Sequence, residues 1–255
     1  MSTLTSPTSG GLFTYPRRTR RGPQWRRAAA WSLGANLVLA AWFWVIVAVG
    51  VTAALIVVDR VATVEMSIVQ FAAQGATWFP FATAIIFATT QLGVHVANGM
   101  TRRAFIRAQL VTVVVSACAY ALVLNLALLA EGALFARLGW PHTAGDDGFA
   151  AWQDGFAAGL LDMALIFLAA QVSGLLVGIA YYRFGGWWGT LLLPLTVAPV
   201  YASLLVADAA EEGWSAFALF TSPLALAAAR VLLIALGALA FHRLARDVAI
   251  HRVTT

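Results

Sequence analysis

Few side chains in this sequence are spaced to do chemistry, and the spacing says which chemistry is excluded. The four histidines, His95, His142, His242 and His251, stand apart from one another and from any cysteine or carboxylate at metal-ligand spacing. The single cysteine, Cys118, lies inside an apolar run, which rules out an intrachain disulfide and argues against a thiolate metal site. All sixteen basic residues are arginine. Without lysine there can be no GxxxxGK[ST] phosphate loop, and neither HExxH nor GxSxG occurs. The chain is read as carrying no catalytic residue, no metal and no cofactor of its own.

Two charges differ from the rest because each interrupts a long apolar run: Asp162 and Arg230. Asp162 falls about one and a half turns into its run, at about 1.5 Å per residue. Ser222 and Pro223 have the types of an N-cap and first residue, which puts Arg230 about two turns into its own run. A lone charge at mid-bilayer costs about 2.5–3.5 kcal/mol on insertion scales, so each needs a partner. Two readings stay open. The pair locks two spans together, or it lines a cavity for an acidic or zwitterionic substrate.

The elements that hold these residues are membrane helices. The 255 residues are 61% hydrophobic and 11% charged, against about half and about a quarter in soluble domains. The apolar residues fall in six long runs at about 31–58, 77–97, 104–129, 157–181, 188–205 and 223–242, each near the ~20 residues a membrane helix needs. They do not alternate as barrel strands do. The expected fold is all-α: a polytopic membrane protein with six transmembrane helices and both termini cytoplasmic. Residues 1–27 form a basic cytoplasmic leader, 28–243 the six-span domain and 244–255 a cytoplasmic tail. No cleavable signal is evident in the leader, and Pro16 and Pro23 argue against one continuous helix there.

Charge fixes the sidedness. One set of connections carries Arg17, Arg18, Arg20, Arg21, Arg26, Arg27, Arg102, Arg103, Arg107, Arg183, Arg243, Arg246 and Arg252, with only Asp247 opposing. The other set carries Asp59, Glu65, Glu131, Asp146, Asp147, Asp154, Asp208, Glu211 and Glu212, with only Arg60 and Arg137. Arginine-rich loops stay cytoplasmic.

The inner connection after the second run reads as a sharp turn. Gly99 is suited to the left-handed residue that ends a helix, and Thr101 to the N-cap of the next. Met100 and Phe105 then take the two positions of a hydrophobic staple. A short helix at the cytoplasmic surface is expected here. Arg102 and Arg103 fall in its first turn, where positive charge opposes the helix dipole, so something else must favour them. They serve topology, or they face an acidic cytoplasmic partner. In the fourth run, Gly174 and Gly178 form a small-xxx-small pair that lets helices approach closely. Asn125 in the third run is expected to hydrogen-bond between helices.

A span followed by Gly99, Met100, Thr101, Arg102, Arg103, Ala104 and Phe105 resembles the membrane permease subunits of bacterial type-2 ATP-binding-cassette (ABC) exporters. The match lies at Gly99, Thr101, Arg102, Arg103 and Phe105. The tight turn Tyr181, Tyr182, Arg183, Phe184, Gly185, Gly186 is similar to the family's turn between spans four and five, and 206–222 stands where the family has a re-entrant outer element. The resemblance covers the chain in topology and about ten residues in motif. It implies a half-transporter of the bacterial plasma membrane, working as a homodimer or heterodimer with another permease. Residues 99–105 would couple to a separate ABC ATPase subunit. Membrane lipid is the remaining partner, and no nucleic-acid partner is expected. The rival class is a membrane scaffold, sensor partner or immunity protein without transport activity.

Overall fold

The computed structural model describes residues 23–61, 67–140, 155–211 and 222–248. Every regular element among them is helical: α1 (Gln24–Val61), a single 3-10 turn (Val69–Phe71) leading into α2 (Ala72–Ala97), α3 (Arg102–Leu138), α4 (Phe156–Leu191), α5 (Leu193–Thr196), α6 (Ala198–Glu211) and α7 (Pro223–Arg246). Five of these, α1, α2 with its leading turn, α3, α4 and α7, are long and apolar enough to cross a membrane, consistent with a multi-pass membrane protein. Residues 1–22 of the leader, the acids Glu65, Asp146, Asp147, Asp154 and Glu212, and the tail from 249 onward lie outside the described residues.

The helices alternate in direction, as the contacts between them show. On α1 and α3, Ala28 and Ala29 cluster with Ala108, and the Phe43 and Tyr120 rings meet at 5.7 Å further along, so these two helices run parallel. On α2 and α4, Gly174 approaches Phe81 and Ala84, and Gly178 approaches Ile85 and Ala88, so these also run parallel. Ser32 reaches Gln91 while Phe43 lies against Gly75, which sets α1 antiparallel to α2. Helix α4 is the axis of the bundle and packs on α2, α3, α6 and α7. In its most apolar 18-residue stretch 89% is buried, against none in α1.

The fifth apolar run, expected as one span at 188–205, is not one helix. Gly185 (φ 78, ψ 179) reverses the chain inside α4. The segment beyond it runs back along the helix it left: the Tyr181 hydroxyl meets Thr190 Oγ1 at 3.0 Å, and Ser173 Oγ accepts from the Val200 N–H at 3.1 Å. This return is broken into 186–191, α5 and α6. Pro194 and Pro199 supply the physical reason, since each lacks an N–H and each sits in the first turn of a new helix.

Two further expectations change. No separate surface helix follows the inner turn: Arg102 opens a continuous 37-residue helix, because nothing from there to Leu138 breaks it. Residues 130–138, expected in an outer connection, are the end of that helix. At the other terminus α1 starts at Gln24, directly after Pro23, so the last leader residues are helical.

Candidate functional site

The turn between α2 and α3 is built by its own sequence. Gly99 takes φ 76; its N–H donates to the Val96 oxygen at 2.9 Å, and the Met100 N–H reaches back to the His95 oxygen at 3.0 Å. This is a Schellman closure, which satisfies carbonyls that the end of α2 would leave orphaned. Thr101 is extended (φ −77, ψ 146) and its hydroxyl accepts from the Ala104 N–H at 3.2 Å, capping α3. The Thr101 N–H donates to Gln24 Oε1 at 3.4 Å, tying the turn to the start of α1. Met100 and Phe105 do not share one cluster: Met100 packs with Trp25, Ala28, Ala29 and Ala108, and Phe105 lies in the main core.

The arginines of the turn do different things. Arg102 aims Nη1 at the Arg246 carbonyl oxygen, a long 3.5 Å contact. Arg183, beside the Gly185 reversal, donates Nη1 to the Leu244 oxygen at 3.0 Å. Both oxygens belong to the last turn of α7, where carbonyls lack helical partners and the helix dipole is negative. This is what offsets the unfavourable position of Arg102 at the head of α3. Arg103 and Arg107 are exposed. With Gln24, Trp25, Thr101 and Ala104 they line a cleft of about 320 Å³. Phe105 is fully buried beside the His95 ring, 5.6 Å between centroids. The spacing that puts Arg103 and Arg107 outward turns Phe105 in.

Asp162 and Arg230 meet. The Arg230 guanidinium donates through Nη1 to Asp162 Oδ1, with side-chain exposures of 2% for the arginine and 17% for the aspartate. The pair joins α4 to α7 in the buried part of the bundle. Among the described residues, Arg230 Nε is buried with no hydrogen-bond partner.

Two polar groupings went unread in the sequence. Gln91 gathers three helices: its Oε1 accepts from Ser32 Oγ of α1 at 3.1 Å and from Gln109 Nε2 of α3 at 3.0 Å. One turn along α2, His95 Nδ1 lies 2.8 Å from the Gln91 oxygen, and its ring stands edge-on to Trp31 at 5.8 Å. The second is Glu131, read as an outer surface charge but 5% exposed. Its Oε1 accepts from the N–H groups of Ile68 at 2.8 Å and Val69 at 3.0 Å, and its Oε2 accepts from the Ser67 hydroxyl. A carboxylate on α3 thereby caps the turn that starts α2. Polar residues among apolar neighbours at 91, 95 and 109 were the available signal; nothing local marked Glu131.

Gly174 and Gly178 form the face on which α4 meets α2. A Cβ on Gly178 would sit 2.7 Å from Ala88 Cβ and 2.8 Å from the Ile85 oxygen, and one on Gly174 would run into the Phe81 carbonyl. Asn125 does not bond between helices as expected: its Nδ2 donates to Ala121 of its own helix at 2.8 Å. Among the described residues no group of three His, Cys, Asp or Glu could hold a metal ion. His142 and His251 lie outside them. Comparison with protein-family models, curated proteins and solved structures finds no match to this chain.

Proposed function

We propose that the chain is the permease subunit of an ATP-driven ABC exporter, with six crossings and both termini cytoplasmic. It works as a homodimer or heterodimer, each copy coupled to a separate ATPase at the turn around Gly99–Phe105. In this reading the broken return of 186–211 is the fifth crossing. The observation that carries the proposal is the composition of one end of the bundle. The turn at Gly99 and Thr101, the Gly185 reversal and the end of α7 come together there, with Arg26, Arg27, Arg102, Arg103, Arg107, Arg183, Arg243 and Arg246 against Asp247. Such an end stays cytoplasmic and suits an acidic docking surface. Arg103 is the exposed contact. Arg102 and Phe105 transmit force, because each is anchored to the rest of the bundle, so a push on the turn moves α7 and the core as well as α3.

A neighbouring gene for a P-loop ATPase would favour this reading, and the test is co-expression of the chain with such an ATPase. Co-purification that weakens in Arg103→Gln, with lower ATP turnover, supports the proposal. A parent chain that captures no ATPase removes it. The second reading, a membrane scaffold without transport, is favoured by the Arg102 contact to α7 and the burial of Phe105, which give both residues a structural role without any partner.

A further inference from the structure

We propose that the cleft between the start of α1 and the first turns of α3 binds the phosphate headgroup of an acidic phospholipid. Arg103 and Arg107 are four residues apart on α3, so their side chains lie on one face. Both are exposed, and neither forms an ion pair with any described residue. Two like charges held this close repel, and an anion between them relieves that repulsion. The opposite wall adds Gln24 and Trp25. Gln24 uses its carbonyl oxygen on the Thr101 N–H, and its NH2 group remains a donor. Trp25 carries the Arg26 guanidinium 5.5 Å above its ring, adding a third positive charge at the rim. The cleft of about 320 Å³ thus offers guanidinium and amide donors to a phosphate, and Arg–phosphate contacts are the strong, charge-assisted kind.

Position points to a lipid as the source of that phosphate. The cleft lies where the apolar surface of the bundle begins. On α3, Val111 and Val114 lie about one and two turns beyond Arg107 on the same face of the helix, and they are 37% and 46% exposed. A phosphate held at Arg103 and Arg107 therefore has apolar surface ahead of it for acyl chains. Basic pockets between membrane helices on the arginine-rich side hold lipid headgroups in this way. The surrounding arginines disfavour a headgroup that carries its own cation, so selectivity for acidic over zwitterionic lipid follows. The inference is independent of transport and needs no partner subunit.

The experiment is native mass spectrometry of the purified full chain with equal amounts of dioleoylphosphatidylglycerol and dioleoylphosphatidylcholine, alone and with excess glycerol phosphate. The phosphatidylglycerol adduct should exceed the phosphatidylcholine adduct, and glycerol phosphate should not displace it. Arg107→Gln should reduce it about fivefold. Arg243→Gln, which removes one exposed charge from the same end outside the cleft, should leave it unchanged. Arg107→Lys keeps the charge and should keep the preference, which guards against a folding effect of the Gln variant. Equal adducts of the two lipids, equal losses in Arg107→Gln and Arg243→Gln, or loss of preference in folded Arg107→Lys would each overturn the proposal. Displacement by glycerol phosphate would also overturn it, since the ligand would then be a soluble phosphate.

Discussion

Arg183 on α4 closes the end of α7, its Nη1 3.0 Å from the Leu244 carbonyl oxygen. The contact is exposed, so it contributes about 0.3–1 kcal/mol, the range for a cation at a helix C-terminus. Arg183→Leu should speed backbone amide exchange through the last turn of α7 while leaving α4 and the fold intact. Hydrogen exchange over residues 240–248 checks this, and unchanged exchange there would mean that the cap contributes nothing.

The reach of this arginine also shows what a sequence can reveal. The turn at Gly99 and Thr101 was legible because each step is local: a left-handed glycine, a hydroxyl accepting three residues on, a helix restarting. The small-residue face at Gly174 and Gly178 was legible because its spacing is helical, although its partner α2 was not named by it. Arg183 and Arg102 capping a helix more than sixty residues away had no local signal. Glu131 had none either, since its acceptors' partners Ile68 and Val69 lie across the bundle. The fifth run was misread as one helix because hydropathy counts Pro194 and Pro199 as ordinary members of an apolar stretch, whereas the backbone must restart at each.

Glycines on α4 and on α1 should respond oppositely to alanine. At Gly178 the new Cβ meets Ala88 and the Ile85 carbonyl, neither of which is the far end of a flexible side chain. Overpacking of this kind costs about 1–3 kcal/mol. At Gly50 nothing lies within 4 Å, and alanine should stabilise the helix by about 0.5–1 kcal/mol. Thermal unfolding of Gly178→Ala and Gly50→Ala in detergent should move in opposite directions; a common direction would refute close approach as the role of Gly178.

Glu131 holds the start of α2 through three hydrogen bonds. Glu131→Gln keeps a carbonyl oxygen for the Ile68 and Val69 N–H groups and should be tolerated. Glu131→Leu leaves two amides and a hydroxyl without that acceptor, at about 1–3 kcal/mol for each group that stays buried and unpaired. Faster exchange of the Ile68 and Val69 amides in the leucine variant, and not in the glutamine variant, is the expected result. Equal exchange in both would show that the cap is dispensable.

The pair of Asp162 and Arg230 should reveal itself through non-additivity. Asp162→Ala strands a guanidinium that is 2% exposed and whose Nε already lacks a partner among the described residues. Breaking a buried pair from one side costs about 3–5 kcal/mol, whereas replacing both members by apolar residues can be neutral. The double variant Asp162→Ala/Arg230→Met should therefore recover folded yield and thermal stability relative to Asp162→Ala alone, because Met fills the space along α7 without a charge. The recovery also separates the two readings of the pair. If it only locks α4 to α7, the recovered double variant keeps whatever transport the parent shows. If Arg230 receives an acidic or zwitterionic substrate, the double variant folds and does not transport. The measurements are monodisperse yield, unfolding temperature and, under the proposed exporter reading, substrate-dependent ATP turnover with the partner ATPase. A double variant that loses as much stability as the two single losses combined would mean that the two charges do not support one another.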